Sequence, residues 1–114
     1  MENKLYVNEM SQYLNKEIMN DFLVSQKELR EGTKDFYLRL KLTDKTGSIS
    51  ANVWNNAQTI SEKFKEGDII RIQCSVISYK SQIQITGNKV RVLNEDEYVL
   101  SEFIATSSKD INNI

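Results

Sequence analysis

The sequence predicts an all-β domain with one short helix, its five strands closed into a small barrel. Three observations predict it. Residues 36–43 alternate apolar and polar without a break, the period-two pattern of a strand with one buried face. Residues 48–54 alternate again after a short glycine-containing turn, so the two runs form a hairpin. Residues 55–65 then switch to spacings of three and four, which puts one helix between strands. At 114 residues the chain has room for one core and not for two.

Taken in order, residues 1–15 form an N-terminal extension, irregular or a short helical turn, on which Met10, Tyr13 and Leu14 can share one face. The first strand runs from Ile18 to Leu29, and Arg30-Glu31-Gly32-Thr33-Lys34 turns the chain. In the second strand Phe36, Leu38, Leu40 and Leu42 face the core, and Tyr37, Arg39, Lys41 and Thr43 face solvent. Asp44-Lys45-Thr46-Gly47 is a tight turn. In the third strand Ile49, Ala51 and Val53 oppose Ser48, Ser50, Asn52 and Trp54. In the helix Ala57, Ile60 and Phe64 recur on one side, and Gly67 is placed to cap its C-terminus. The fourth strand, 69–79, buries Ile70, Ile72, Cys74 and Val76. Lys80-Ser81 turns the chain without Asn-Gly chemistry, which leaves a looser loop open. The fifth strand, 82–93, carries Ile83 and Ile85, then Val90 and Val92; the parity change near Thr86-Gly87-Asn88 predicts a bulge.

The order β-β-β-α-β-β, with the helix between strands three and four, is that of a five-stranded Greek-key barrel of the OB-fold type. An SH3-like barrel is the nearest alternative and lacks a helix there. The OB-fold domain spans residues 16–93, followed by an acidic stretch, 94–114.

Composition removes several classes of chemistry. The chain has no His and one Cys. Histidine-based triads, Cys-His pairs and histidine-ligated metals are therefore excluded, and Cys74 reads as a small core residue. Asp21, Asp44 and Asp68 stand apart, and satisfying nearby amides suits them better than holding magnesium. No catalytic residue and no metal ligand is expected. The apolar runs are too short to cross a bilayer and the N-terminus has no signal-peptide h-region; with the lone thiol, this points to the cytoplasm. The net charge is −1, but residues 16–93 hold 13 Lys/Arg against 9 Asp/Glu, and the acidic excess sits beyond residue 93. A mildly basic barrel is compatible with nucleic acid.

Several segments carry a family resemblance. They are Asp21-Phe22-Leu23-Val24, Lys27-Glu28-Leu29-Arg30, Asp35 to Leu42, Asp44-Lys45-Thr46-Gly47-Ser48-Ile49, Ala51-Asn52-Val53-Trp54, Phe64-Lys65-Glu66-Gly67-Asp68 and Gln82-Ile83-Gln84-Ile85. Over residues 7–93 the chain resembles the N-terminal domain of the YhaM family, bacterial 3′–5′ exoribonucleases that join an OB-fold to an HD phosphohydrolase domain. Glu102 to Ser107 resembles the linker toward that domain, with Ala105 where the family has Pro, and Asp110-Ile111-Asn112 resembles the start of its first helix. The resemblance implies that this chain cleaves nothing alone. It implies a covalently linked HD domain that carries the divalent metal, manganese or magnesium, and this chain would need no cofactor.

An OB-fold binds single strands on the face of strands two and three, between the first and last hairpin loops. The residues placed there are Lys27, Arg30 and Lys34 at the first loop, Tyr37, Arg39 and Lys41 on strand two, Asn52 and Trp54 on strand three, and Tyr79, Lys80 and Gln82 at the last loop. Aromatic rings would stack bases and cations would follow phosphates. Each residue also has an ordinary reading. Arg39 and Lys41 suit any solvated strand face, Tyr37 can simply cover the sheet, and Trp54 can pack against the helix. The expected function is a single-stranded nucleic-acid module, RNA by the resemblance, that presents substrate to a nuclease. The alternative is a protein-docking or homo-oligomerisation module.

Overall fold

The computed structural model describes residues 6–104. The elements are β1 (Glu17–Glu31), β2 (Phe36–Asp44), β3 (Gly47–Val53), α1 (Ala57–Ser61), β4 (Ile69–Tyr79) and β5 (Gln82–Val92). They close a barrel in the order β1-β2-β3-β5-β4, with β1 paired back onto β4. Every pair is antiparallel except β3 with β5, which is parallel. This is the expected OB-type Greek key.

The core is the set the alternation marked, except that Phe36, at the start of β2, is only half-buried. Leu38, Leu40 and Leu42 of β2, Ile49, Ala51 and Val53 of β3, and Ile70, Ile72, Cys74 and Val76 of β4 are all buried. Ala57, Ile60 and Phe64 close one end. Burial pushes the Cys74 thiol up to about 12, so it stays protonated and inert.

Two bulges set which side chains face where. Ser25 is the extra residue between Val24↔Leu42 and Gln26↔Lys41. Before it Phe22 and Val24 point inward; after it Lys27 and Leu29 take the parity of their partners Leu40 and Leu38, although Leu29, near the end of the strand, is exposed. Asn88 is the extra residue between Cys74↔Gly87 and Gln73↔Lys89, where the parity change predicts it. A Cβ on Gly87 would stand 2.7 Å from Ile72 Cδ1 and 3.1 Å from Val53 Cγ2, so three strands close on this position and a side chain there would force its neighbours to shift.

The turns follow local chemistry. Buried Asp44 accepts hydrogen bonds at Oδ1 from the Thr46 amide (2.7 Å) and hydroxyl (2.6 Å), and at Oδ2 from the Val7 amide (2.8 Å). One carboxylate thus shapes the β2–β3 turn and ties the N-terminal 3-10 turn Val7–Tyr13 to it. Met10 of that turn is buried and Tyr13 packs on the core, while Leu14 is exposed. Asp68 accepts from the Lys65 amide at 2.9 Å. Asp21 instead makes a two-point ion pair with Arg71, at 2.8 and 3.2 Å. The β4–β5 turn is tight rather than loose, because Lys80 (φ 52°) and Ser81 (φ 67°) both take the left-handed conformation.

Two expectations need correction. The helix covers 57–61, not 55–65: left-handed Asn56 (φ 56°) fixes its start, and the chain leaves helical geometry after Glu62 while Phe64 still reaches the core. Gly67 does not cap it. Gly67 (φ 97°) sits in the turn that leads into β4, where its amide donates to the Val24 carbonyl.

The acidic stretch does not leave the barrel at residue 94. Short 3-10 turns at Glu95–Glu97 and Leu100–Glu102 bring Phe103 down onto Ile69 and Leu93, with Leu23 and Tyr98 beside them. The segments compared above with a linker and a first helix, from Ala105 onward, lie outside the described residues, as do residues 1–5. Among the described residues no helix is long and apolar enough to cross a membrane.

Candidate nucleic-acid interface

The outer faces of β2 and β3 form one ruled surface, because the register puts like parity opposite like. Arg39 stands opposite Asn52, and Lys41 opposite Ser50. The rows extend onto the neighbours. Glu28 of β1 faces Arg39, and Thr86 of β5 faces Asn52. Gln26 faces Lys41, and Gln84 faces Ser50. At the next level Arg30 faces Tyr37, one step from Trp54.

Tyr37 and Trp54 stack on each other, with ring centroids 4.8 Å apart and planes 28° from parallel. Trp54 is 51% exposed, so its second face is open to solvent. It packs on Tyr37, not beneath the helix. The Arg30 guanidinium lies 3.1 Å from Glu28, and hydrogen bonding toward Tyr37 first, then the Glu28 charge, raises its already high pKa. The result is a flat aromatic step with an exposed cation at its edge.

Arg39 and Lys41 line a recess of about 130 Å³ with Gln26, Glu28, Leu40 and Ser50. Both cations are exposed and free to turn toward a ligand. Asn52, opposite Arg39 on β3, is only 8% exposed. Its Oδ1 is buried and has no hydrogen-bond partner, a condition that native folds seldom tolerate without a reason.

The other expected residues divide. Lys34 is exposed in the β1–β2 turn, at the aromatic end of the face. Tyr79, Lys80 and Gln82 lie at the β4–β5 turn, which the Ser50↔Gln84 register puts level with the start of β3, at the opposite end. Tyr79 is 55% exposed and the Lys80 ammonium sits 5.3 Å from its ring centre. Lys27 does not join the set. The Ser25 bulge turns it to the other side of β1, where its ammonium donates to the carbonyls of Ser61 (2.7 Å) and Phe64 and lies over the Phe64 ring. It holds the end of α1. Gln26, Glu28 and Thr86, which the sequence reading left out, stand on the face instead.

The acidic segment lies elsewhere. Glu97 pairs with Arg91 at 3.1 Å, and Glu102 with Lys45 and the Tyr6 hydroxyl. Both line a larger recess of about 730 Å³ on the β1–β4 wall, beside Met19, Asp21 and Tyr98. Among the described residues no group of three or more Cys, Asp or Glu side chains is placed to hold a metal ion.

Comparison with known proteins agrees with this fold. The model of the family described as OB-fold nucleic acid binding domain matches residues 23–93. A domain of replication protein A from Methanococcus maripaludis is similar over 81% of this chain and 97% of its own, at 20% identity and a TM-score of 0.67. A replication protein A heterotrimer bound to ssDNA is similar over 71% of this chain and 60% of its own, at 15% identity and a TM-score of 0.59. Asparaginyl-tRNA synthetase from Pyrococcus horikoshii is similar over 93% of this chain but only 24% of its own, at 16% identity and a TM-score of 0.66. At these identities the solved structures establish the fold.

Proposed function

The chain belongs to the OB-fold nucleic acid binding domain family, and on that premise we propose that it holds single-stranded nucleic acid across the outer face of β2 and β3. The observation that carries this is the open Tyr37–Trp54 step beside Arg30, Arg39 and Lys41. A base stacked on the free face of Trp54 gains about 1–3 kcal/mol. A duplex has its bases already stacked and offers none to the step. The cations meet the phosphates, and the tight β4–β5 turn brings Tyr79 and Lys80 to the far end of the path.

We assign RNA as the physiological strand, and delivery to a 3′–5′ exoribonuclease HD domain in the same polypeptide as the purpose. The support is the resemblance over residues 7–93. The structural neighbour bound to ssDNA makes DNA the strand to compare. An HD motif in the reading frame downstream supports the nuclease context; a different domain there removes it.

Trp54 is the only Trp in the chain, so its fluorescence reports the step directly. Titration with mixed-sequence single-stranded RNA at low salt should quench it saturably, single-stranded DNA more weakly, and a blunt duplex hardly at all. Failure of every single strand to quench would falsify the binding reading. Equal affinity for RNA and DNA would remove only the RNA assignment.

A further inference from the structure

The face carries one acid among its cations. At the outer positions of β1 beyond the Ser25 bulge, of β2, of β3 and of β5 before Asn88, every described side chain is neutral or basic except Glu28. Its carboxylate lies 3.1 Å from the Arg30 guanidinium. It also stands opposite Arg39 and shares the recess that Arg39 and Lys41 line. The side chains of the pair are 60% (Glu28) and 48% (Arg30) exposed, and a pair so open to water adds little to stability. What it does is hold an anion at the edge of the aromatic step, since Arg30 faces Tyr37 across the β1–β2 ladder and Tyr37 lies on Trp54.

We infer that Glu28 occupies a phosphate subsite at Arg30 in the free protein, and that a strand enters by exchanging its phosphate for this carboxylate. This rests on the binding reading above. A guanidinium takes carboxylate and phosphate with the same fork of donors, so a place that Glu28 fills is one a phosphate fits. The phosphate concerned adjoins the base on Trp54, because Arg30 borders that pair of rings. Carboxylate and phosphate repel each other beside one cation, so Glu28 must swing away, and its exposure lets it do so. Once displaced it takes back a counterion while the strand gives one up. Arg30 is therefore a weaker and less salt-sensitive contact than a lone arginine would be. The carboxylate stays beside the site, ready to return, which shortens the stay of the strand.

The probes are two short single-stranded 2′-O-methyl oligoribonucleotides of one sequence. One has phosphodiester linkages and the other uncharged methylphosphonate linkages, which keep the bases and remove the phosphate charge. Glu28→Gln keeps the shape of the side chain and removes its charge. At about 50 mM salt it should bind the phosphodiester strand about five- to tenfold more tightly than wild type, with a slope of log K against log salt steeper by about 0.7. It should bind the methylphosphonate strand as wild type does. In an Arg30→Ala background, Glu28→Gln should add less than about twofold, since residues acting at one site are not additive. Glu62→Gln, an exposed acid at the end of α1, should change neither affinity. The inference is overturned, and the binding reading left intact, by a Glu28→Gln affinity for the phosphodiester strand within about twofold of wild type. The same holds if the gain is as large for the methylphosphonate strand, in the Arg30→Ala background or in Glu62→Gln. Binding of neither probe by wild type removes both.

Discussion

Replacing Trp54 by alanine tests the interface where the geometry is most explicit. In the free protein one face of the indole lies on Tyr37, with centroids 4.8 Å apart, and half the residue is exposed. Truncation therefore removes two separable things. The first is the contact with Tyr37, worth about 0.5–1.5 kcal/mol beyond its buried area. Spread over a domain stable by about 5–15 kcal/mol, that leaves the barrel folded. The second is the open face. If one base stacks there for about 1–3 kcal/mol, Kd for single-stranded RNA rises about 5- to 150-fold. Affinity should thus fall by a factor that stability does not predict. Trp54→Phe, which keeps a smaller ring, should lie between. The assay is anisotropy of end-labelled RNA at low salt, with thermal melts of all three proteins by circular dichroism. A Kd within twofold of wild type in Trp54→Ala, with the melt intact, would refute the platform; so would equal loss in Trp54→Phe and Trp54→Ala.

Each phosphate contact on a single strand contributes about −0.7 to the slope of log K against log salt, so Arg39→Ala and Lys41→Ala should each flatten the slope by about that amount, whereas Lys63→Ala, on the exposed chain after α1, should leave it unchanged. Gly87→Ala places a Cβ 2.7 Å from Ile72 Cδ1; overpacking costs about 1–3 kcal/mol, a Tm loss of at least about 4 °C, and adding Ile72→Val, which deletes that methyl, should restore part of it. Cys74 should resist thiol reagents at pH 8 in the folded protein and react once urea unfolds it. Its raised pKa also sets a direction with pH. The contribution to stability is complete below the unfolded thiol's pKa, about 8.5, and is lost as pH rises from there toward about 12; urea midpoints measured from pH 8 upward should fall.

The barrel was legible in the sequence because its strands are half-buried. Alternation in 36–43 and 48–54 marked Phe36, Leu38, Leu40, Leu42, Ile49, Ala51 and Val53 as core, and all but the half-buried Phe36 are buried. The same alternation put Tyr37, Arg39, Lys41 and Asn52 on one outer face, and the register sets Arg39 opposite Asn52. What it could not give was the direction of Trp54. A residue just past the last ladder pair has no partner to fix its side, so core and solvent both remained open until the ring was seen on Tyr37. The barrel contacts of the acidic stretch after residue 93 have no periodic signal. Leu93, Tyr98 and Phe103 are five residues apart, which matches neither strand nor helix period, and 3-10 turns bring them onto the barrel. The unpaired state of Asn52 Oδ1 has no sequence signature; it depends on what surrounds the amide.

Lys27 shows how one residue of slippage reassigns a side chain. In Ser25-Gln26-Lys27-Glu28 no apolar residue marks which face is inward, so the bulge at Ser25 is silent in the pattern and surfaces only when Leu29 pairs with Leu38 on the core side. Without the bulge Lys27 would share the binding face with Arg39. With it, Glu28 and Arg30 take that face, and Lys27 donates to the carbonyls of Ser61 and Phe64 at the end of α1. The two placements predict opposite phenotypes. Lys27→Met keeps the stem that covers Phe64 and removes the charged donor. Hydrogen bonds from a charged group contribute about 1.5–3 kcal/mol; partial exposure reduces that, so the variant should lose about 1 kcal/mol in urea unfolding. Its RNA affinity and salt slope should match wild type. A Lys27→Met protein of unchanged stability whose salt slope falls by about 0.7 would put the ammonium on a phosphate, and with it the Ser25 bulge in the wrong place.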